Sequence, residues 1–315
     1  MSSLAGGLVP RAGAEIAIAH EFRPPPYGGS NQFLLALRGE LERQGHGVEA
    51  NRIGRGTRAC ILNAFLFDVE RIARSRRPGC RMVHRVDGPV GMYRGTDDGA
   101  DRRVEEINRR LADVTVFQST YSLEATRALG LELVDPVVVT NAVDPGIFHP
   151  GDRVPLSGGR LRVIATSWSD NRRKGAGVYE WLDEHLDTDR VELTFVGRSP
   201  VEFRRIRMLP PVPSHELAGL LREHDAYLTA SENDPCSNAL IEALATGLPA
   251  LYLRSGGHPE LAGEGGLGFD AAEEIPALLD RLAAEHAQLR SRIRVASLAD
   301  VARSYLEVMG LAGGA

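Results

Sequence analysis

The sequence of 315 residues contains almost no lysine: of its 37 basic side chains, 36 are arginine and one, Lys174, is lysine. An arginine-biased composition replaces lysine wherever a planar guanidinium serves as well as a compact ammonium. A lysine that persists at one position therefore indicates either a requirement for the ammonium there or survival by chance. The neighbours of Lys174 decide between the two.

Other scarcities exclude several classes of protein. Three cysteines (Cys60, Cys80 and Cys236) lie far apart, so neither a disulfide framework nor a zinc site is indicated. No apolar run approaches the roughly 18 residues of a membrane span, and residues 1–14 lack the charged and apolar parts of a secretory signal. A net charge of −5 gives no basic footprint for nucleic acid. These features predict a protein of the reducing cytoplasm.

Short apolar runs alternate along the chain with amphipathic stretches, a pattern that predicts parallel β-sheet covered by helices. The predicted strands lie at residues 15–20, 60–67, 81–86, 114–118, 137–140, 161–166, 191–196, 226–229 and 249–253. The predicted helices lie at residues 31–44, 101–112, 120–129, 176–186, 214–223 and 237–246, before a helical tail from about 273 to 311.

Prolines and glycines concentrate between residues 144 and 159, which predicts a linker between two α/β series. We expect a short N-terminal Rossmann-like domain over residues 1–150 and a second one over residues 151–295. A C-terminal helix over residues 296–315 is then free to pack back on the first domain. Two such halves predict a cleft between them, because ligands of open α/β sheets bind at the carboxyl ends of the strands.

Polar groups are concentrated at residues 231–249, SENDPCSNALIEALATGLP. A helix that begins there leaves free N–H groups near Ser237, Asn238 and Ala239, and these donors form an anion site at the positive end of the helix dipole. Glu242, further along the helix, can accept hydrogen bonds from ribose or sugar hydroxyls. Phosphate and polyol binding on one helix indicate a nucleotide-sugar, whereas the alternative is an ordinary helix with a solvated glutamate.

This segment resembles the E-x7-E signature of retaining glycosyltransferases of the GT-B fold, family 4 (glycosyl transferases group 1) type. Asp234 stands where the family usually has its first glutamate, eight positions before Glu242, and Glu232 is a second candidate. Residues 166–175, TSWSDNRRKG, are similar to the family's Gly-Arg…Lys-Gly loop, in which Lys174 takes the place of the lysine. The resemblance implies that Asp234 contacts sugar hydroxyls and that Glu242 contacts the ribose.

In that family an arginine and a lysine neutralise the donor diphosphate, whose charge grows as the leaving group departs. The resemblance implies this role for Lys174, together with the helix start at Ser237, Asn238 and Ala239. The family's arginine has no direct counterpart here. Either Arg172 or Arg173 is expected to replace it, and Arg173 is the one that we include among the substrate-binding residues.

Glycines of both halves agree with the same family. Residues 26–29, PYGG, precede a predicted helix and resemble the loop whose Gly28 and Gly29 approach the donor phosphates. Glycine is needed where a backbone comes close to a ligand. Gly197, after the strand at 191–196, resembles the next glycine of the donor domain and is a further expected substrate contact.

The family often has a histidine at the end of a middle strand, facing the donor sugar. Here the segment is VHRVDGP at residues 83–89, in which Asp87 occupies that position and His84 lies three residues earlier. Alternation along a strand puts the two side chains on opposite faces. We expect Asp87 to face the sugar, with His84 as the alternative.

Two further patterns lead to weaker predictions. Residues 263–268, GEGGLG, spell G-x-G-x-x-G but do not connect a strand to a helix, so we expect a surface turn. Arginines recur at helical spacing between residues 71 and 81. They form either a solvated face or a contact with anionic lipid or a lipid-phosphate acceptor, and the second alternative predicts a peripheral position at the inner face of the membrane.

The sequence therefore predicts an α/β protein with two Rossmann-like domains facing each other across a cleft. The resemblance implies a metal-independent retaining glycosyltransferase with Asp87, Lys174 and Asp234 as catalytic residues. It would move a sugar from a UDP- or GDP-sugar to a hydroxyl of a glycan, lipid-linked or small-molecule acceptor, with no other cofactor and no nucleic-acid partner. In such enzymes the leaving phosphate takes the acceptor proton. Two alternatives stay open: another GT-B enzyme, such as a nucleotide-sugar epimerase, and a non-catalytic subunit of this fold.

Overall fold

The computed structural model describes residues 13–24, 28–96, 98–151 and 159–312. Within these ranges each half of the chain forms one parallel six-stranded sheet. The strands of the first half are β1 (Ile16–Ala19), β2 (Val48–Ala50), β3 (Ala59–Asn63), β4 (Arg81–Val86), β5 (Val114–Phe117) and β6 (Pro136–Val138). Those of the second half are β7 (Leu161–Ser167), β8 (Val191–Gly197), β9 (Arg207–Leu209), β10 (Ala226–Thr229), β11 (Ala250–Leu253) and β12 (Gly266–Phe269).

Helices connect most successive strands, whereas β2 and β3, and likewise β8 and β9, follow each other without a helix between them. In the first half they are α1 (Gly29–Arg43), α2 (Val69–Ser75), α3 (Val90–Arg94), α4 (Ala100–Leu111) and α5 (Thr120–Ala128). In the second half they are α6 (Ala176–His185), α7 (Ser214–Glu223), α8 (Asn238–Ala245), α9 (His258–Ala262), α10 (Ile275–Arg292) and α11 (Leu298–Val308). Short 3-10 turns lie at Arg172–Lys174, Gly263–Gly265 and Ala272–Glu274.

The strand orders are β2-β1-β3-β4-β5-β6 and β12-β11-β10-β7-β8-β9, and every pair is parallel. Central strands such as β1 and β3 are buried along their whole length. Strands covered on both faces need continuous apolar runs, which is why these segments could be identified from the sequence. The predicted class, α/β with two Rossmann-like halves, is confirmed.

Several elements depart from the sequence prediction. Strands β2 (VEA) and β9 (RML) were not predicted, because each has only three residues and one of the three is charged, which leaves almost no apolar pattern. The surface turn predicted at residues 263–268 is wrong in its second half, since Gly266–Phe269 forms β12 and pairs with β11. A side chain at Gly266 would meet the Ala250 carbonyl and the Tyr252 ring of that neighbouring strand, so glycine permits the close pairing.

The C-terminal part of the chain contacts both halves. Helix α10 packs apolar residues on the second sheet, whereas α11 returns to the first half and lies against α1. The Tyr305 and Phe33 rings meet there with centroids 6.0 Å apart. Residues 152–158 of the predicted linker, and Pro26 and Tyr27 of the predicted glycine loop, lie outside the described residues. Among the described residues, no helix has both the length and the apolar character needed to cross a membrane.

Candidate active site between the two halves

A cleft opens between the two sheets, where loops leave the carboxyl ends of β4, β7 and β10. Asp87 follows β4, Lys174 lies in the turn after β7, and Asp234 lies in the loop after β10. The predicted site residues that line this cleft are Gly28, Gly29, Asp87, Lys174, Gly197, Asp234, Ser237, Asn238, Ala239 and Glu242. Residues predicted from five separate segments therefore face one space.

The loop after β10 delivers the start of helix α8 to the cleft. Ser237 caps the helix, and its side chain accepts a hydrogen bond from the Leu240 N–H at 3.3 Å. The remaining free N–H groups of the first turn point toward the cleft with the positive end of the helix dipole. Such a helix start can bind a phosphate group without any cationic side chain.

Lys174 and Asp234 form an ion pair on the wall of the cleft. The Lys174 Nζ lies 2.8 Å from Asp234 Oδ2, and Asp234 Oδ1 also accepts from the Cys236 N–H at 3.2 Å. Burial alone would raise the pKa of Asp234, but the Lys174 ammonium and the nearby His258 outweigh it and hold the pKa below its usual value. Asp234 is therefore an ionised acceptor, and Lys174 is a cation with its charge at the cleft surface.

Glu242 lies on the cleft side of α8, one turn inside its start. Among the described residues, none donates a hydrogen bond to its carboxyl group. Burial raises the pKa of Glu242 to about 8, because the charged form has lost water without gaining a partner. A hydroxyl-bearing ligand in the cleft would supply the missing donors.

Asp87 and His84 are separated by the pleat of β4. Asp87 lines the cleft, and its carboxylate oxygens lie 3.2 and 3.3 Å from the Ser30 hydroxyl. His84 is wholly buried, and its ring nitrogens lie 2.8 Å from the Ala64 carbonyl and 3.0 Å from the Asn108 amide. Burial lowers the pKa of His84 to about 4, so it is a neutral core residue, and Asp87 is the one that reaches the cleft.

Arg173 is the predicted site residue that the structure places elsewhere. Three consecutive residues of the 3-10 turn project in different directions. Lys174 points into the cleft, whereas Arg173 pairs with Glu232 at 3.3 Å and Arg172 pairs with Glu180 at 3.1 Å, both outside the cleft lining. The expectation that Arg173 or Arg172 contacts the substrate is not supported by these positions.

Two of the predicted glycines are required by close approaches. A side chain at Gly29 would collide with the Asn238 amide, which reaches across from the other half of the cleft. Gly197 has φ 127° at the end of β8, and a side chain there would collide with the Ser167 carbonyl of β7. Gly29 thus lets the two halves meet, while Gly197 shapes the donor-side wall.

The cleft also contains residues that the sequence analysis did not identify. Arg85, in the interior of β4, pairs with Asp87 at 2.7 Å, and Tyr93 and Trp168 line the same space. The Arg198 guanidinium lies 4.9 Å from the Trp168 ring centroid. The available signal for Arg85 was its position inside a predicted strand, between His84 and Val86, since a charge buried there needs partners.

Side chains of both halves also contact each other directly beside the cleft. The Ser119 hydroxyl donates to the Pro235 carbonyl at 2.5 Å, and the Tyr121 hydroxyl donates to Asn233 Oδ1 at 3.1 Å. The Glu260 carboxylate accepts from the Thr120 N–H at 2.9 Å and so caps the first turn of α5 from the opposite half. These contacts hold the two walls of the cleft together.

We predict that Glu260→Ala loosens this junction. A carboxylate cap on a helix start contributes roughly 1 kcal/mol, so we expect a melting temperature a few degrees lower and several-fold slower turnover in any reaction that needs both walls. Differential scanning calorimetry and a turnover assay measure the two effects. Glu264→Ala, on the exposed turn nearby, is the control, and equal behaviour of the two variants would contradict the assignment.

Comparisons with known proteins agree with this fold. Residues 178–285 match the family model described as "Glycosyl transferases group 1". D-inositol 3-phosphate glycosyltransferase from Corynebacterium efficiens is 37% identical over 93 residues, which is 29% of this chain and 22% of that protein. The match therefore spans less than a quarter of the curated relative.

Solved structures match over nearly the whole chain at low identity. Sucrose-phosphate synthase from Thermosynechococcus elongatus has a TM-score of 0.68 at 14% identity, covering 93% of this chain and 94% of that one. Anabaena HepE in complex with UDP and glucose has a TM-score of 0.71 at 15% identity, covering 94% and 99%. The catalytic domain of Arabidopsis thaliana starch synthase IV, bound to ADP and acarbose, has a TM-score of 0.71 at 11% identity, covering 95% and 99%.

The matches to solved structures define the fold. The fold is GT-B, with two parallel six-stranded sheets and flanking helices. The family model matches residues 178–285 of the second half, and the solved structures, at 11–15% identity, show the fold.

Proposed function

We propose that the protein is a retaining glycosyltransferase of family 4 type, which moves a sugar from a nucleoside-diphosphate-sugar to an acceptor hydroxyl without a metal ion. The observation that carries the proposal is the convergence of Lys174, the α8 start and Glu242 on one wall, opposite Asp87 on the other. The first two suit a diphosphate and the third suits a ribose. The neighbours bound to UDP with glucose, and to ADP, support a nucleotide donor.

Charge in the cleft suits a departing diphosphate. Lys174 and the free N–H groups of α8 are preorganised donors where negative charge grows on the leaving group, and such donors stabilise the transition state most in a site shielded from water. Asp234, ionised and next to Lys174, accepts hydrogen bonds from sugar hydroxyls. The ammonium and the helix start therefore supply the neutralisation that a divalent cation supplies in metal-dependent enzymes.

The acceptor enters from the first half of the chain. Asp87, held between Ser30 and Arg85, belongs to the first half and lines the same cleft as Lys174 of the second half. In the proposed reaction this position would bring Asp87 close to the donor sugar. In the front-face reaction that we propose, the acceptor oxygen attacks on the side from which the phosphate departs, and the phosphate oxygen takes the acceptor proton. No protein nucleophile is then required, and Asp87 orients hydroxyl groups. A peripheral membrane position and a UDP or GDP base stay predictions.

A thermal-shift panel of UDP, GDP, ADP and their sugars tests the proposal. A ligand that binds only the native state stabilises it by about 2.7 kcal/mol at 100 times its Kd. We expect nucleotides of one base to raise the melting temperature. When acceptors are screened, the sugar of the corresponding nucleotide-sugar should be transferred with retention of its anomeric configuration. No shift with any nucleotide would indicate a non-catalytic subunit, and C2 inversion without an acceptor would indicate an epimerase.

A further inference from the structure

Arg85 is a fully buried cation at the floor of the cleft. It lies near the end of β4 with 0% of its surface exposed, yet it borders the space between the two halves. Removing a guanidinium from water is costly unless its charge is paired and its N–H groups find acceptors. The hydrogen-bond acceptors around Arg85 therefore indicate why an arginine is present at this buried position.

The guanidinium fork joins three side chains in fixed directions. Nη1 donates to Asp87 Oδ1 at 2.7 Å and to Asn63 Oδ1 at 2.8 Å, while Nη2 donates to Asn141 Oδ1 at 3.1 Å. The Phe33 ring centroid lies 5.1 Å from its central carbon and restricts the guanidinium further. A planar fork fixes several acceptors at once, which the rotating ammonium of a lysine does not do.

One of these acceptors carries the connection across the cleft. Asn141 accepts from Arg85 and donates its Nδ2–H to Asn238 Oδ1 at 2.9 Å. Asn238 is the first residue of α8, the helix that presents free N–H groups to the donor phosphates. Arg85 thus connects the Asp87 carboxylate of the first half with the phosphate-binding helix of the second half through one intervening side chain.

We propose that Arg85 is a positioning residue that sets the distance and orientation of Asp87 relative to the α8 start. The inference rests on the proposed function, in which both groups act on one donor. With 0% of its surface exposed, Arg85 acts in this proposal through Asp87 and Asn141, to which its guanidinium is hydrogen-bonded. A misplacement of about 1 Å in a catalytic group can lower the rate about 100-fold, so loss of the fork is expected to reduce turnover while leaving nucleotide binding largely intact.

A double-mutant cycle between Arg85→Lys and Asp87→Asn tests the inference. Arg85→Lys keeps the charge and loses the fork, and we expect kcat to fall about 100-fold with the KM for the donor changed less than about threefold. The double variant is expected to be no slower than Asp87→Asn alone, because Arg85 acts through Asp87. Multiplicative losses in the double variant, or near-wild-type turnover in Arg85→Lys, would overturn the inference.

Arg81→Lys is the matched control, since Arg81 lies on the same strand with an exposed side chain outside the cleft. If the role of Arg85 is purely structural, Arg85→Lys should lower the melting temperature and the fraction of active protein. The active fraction should then have the kcat and KM of the wild type. If Arg85→Lys does not fold, Asn141→Ala gives a second measurement. It removes only the bridge, and the double variant with Asn238→Ala should be no slower than the slower single variant.

The proposed function and this inference fail separately. If the wild-type protein transfers no sugar and binds no nucleotide, the proposed function fails. The proposed function stands if the wild-type protein is active and Asp87→Asn is inactive. If Arg85→Lys and Asn141→Ala then have the same turnover as the control Arg81→Lys, the inference fails and Arg85 is only a core residue.

Discussion

Replacing Lys174 by alanine is expected to lower kcat about 10²- to 10³-fold, the range seen when a preorganised donor to a growing negative charge is removed. The ammonium lies on the donor wall beside Asp234 and the start of α8, and the structure brings neither neighbouring arginine into the cleft. Steady-state kinetics with the donor identified by the thermal-shift panel measure the effect. Transfer that is undiminished in Lys174→Ala would remove the central support of the proposed function.

Lys174→Arg separates the need for an ammonium from the need for any cation. Guanidinium is larger and planar, and it would meet Asp234 in a different geometry from the 2.8 Å contact of the lysine. We expect kcat to fall at least about tenfold despite the conserved charge. Near-wild-type turnover in this variant would mean that the single lysine of the chain reflects composition alone.

A loss of activity in Lys174→Ala must be distinguished from a loss of stability. Removing the ammonium leaves Asp234 as a largely buried carboxylate without its cation. Breaking a fully buried pair costs about 3–5 kcal/mol, and we expect a smaller loss here because Lys174 lies at the cleft surface, where water screens its charge. The double variant Lys174→Ala/Asp234→Asn should recover most of that stability and none of the turnover. Arg172→Ala, whose partner is Glu180 on the surface, is the control for the turn itself and should behave like the wild type.

The sequence predicted which polar residues lie at the edge of each sheet better than it predicted which of them pair with each other. Apolar runs such as residues 81–86 and 226–229 match the observed strands, so the residues that follow these strands could be assigned to one edge of a sheet. The pairing of Lys174 with Asp234 could not be predicted, because it joins residues that follow β7 and β10. These strands are neighbours only in the sheet order, which periodicity does not reveal.

Arg85 shows a second reason why part of the site could not be predicted from the sequence. An arginine within a strand is normally expected to project into solvent. Its burial here depends on Asp87, two residues further along the chain, and on acceptors from two other segments, Asn63 and Asn141. Strand β12 shows the converse case. Its glycines indicate a turn by composition, whereas pairing with β11 gives it a strand conformation. In both cases tertiary contacts outweigh the local preference of the residue.

Replacing Glu242 by glutamine is expected to weaken nucleotide binding about 10- to 100-fold, the loss of roughly 1.5–3 kcal/mol for a hydrogen bond to a charged group. Burial raises the pKa of Glu242 from 4.5 to about 8 in the ligand-free protein, so the carboxyl group is mostly protonated at neutral pH. Ribose hydroxyls stabilise the carboxylate by donating to it. Nucleotide affinity of the wild type should therefore rise between pH 6 and pH 8, whereas that of Glu242→Gln should stay flat.

The Glu242→Gln substitution should stabilise the ligand-free protein, although it weakens nucleotide binding. Between pH 4.5 and 8 the unfolded chain has lost the Glu242 proton that the folded chain retains. The free energy of unfolding therefore falls with rising pH, by at most about 1.4 kcal/mol per pH unit. Glutamine removes this penalty, so the melting temperature of Glu242→Gln should exceed that of the wild type at pH 8 and approach it near pH 4.5. Glu216→Gln, exposed on α7, is the control. A Glu242→Gln variant that is less stable than the wild type at pH 8, or whose nucleotide affinity is unchanged, would contradict the assignment of Glu242 as a ligand for ribose.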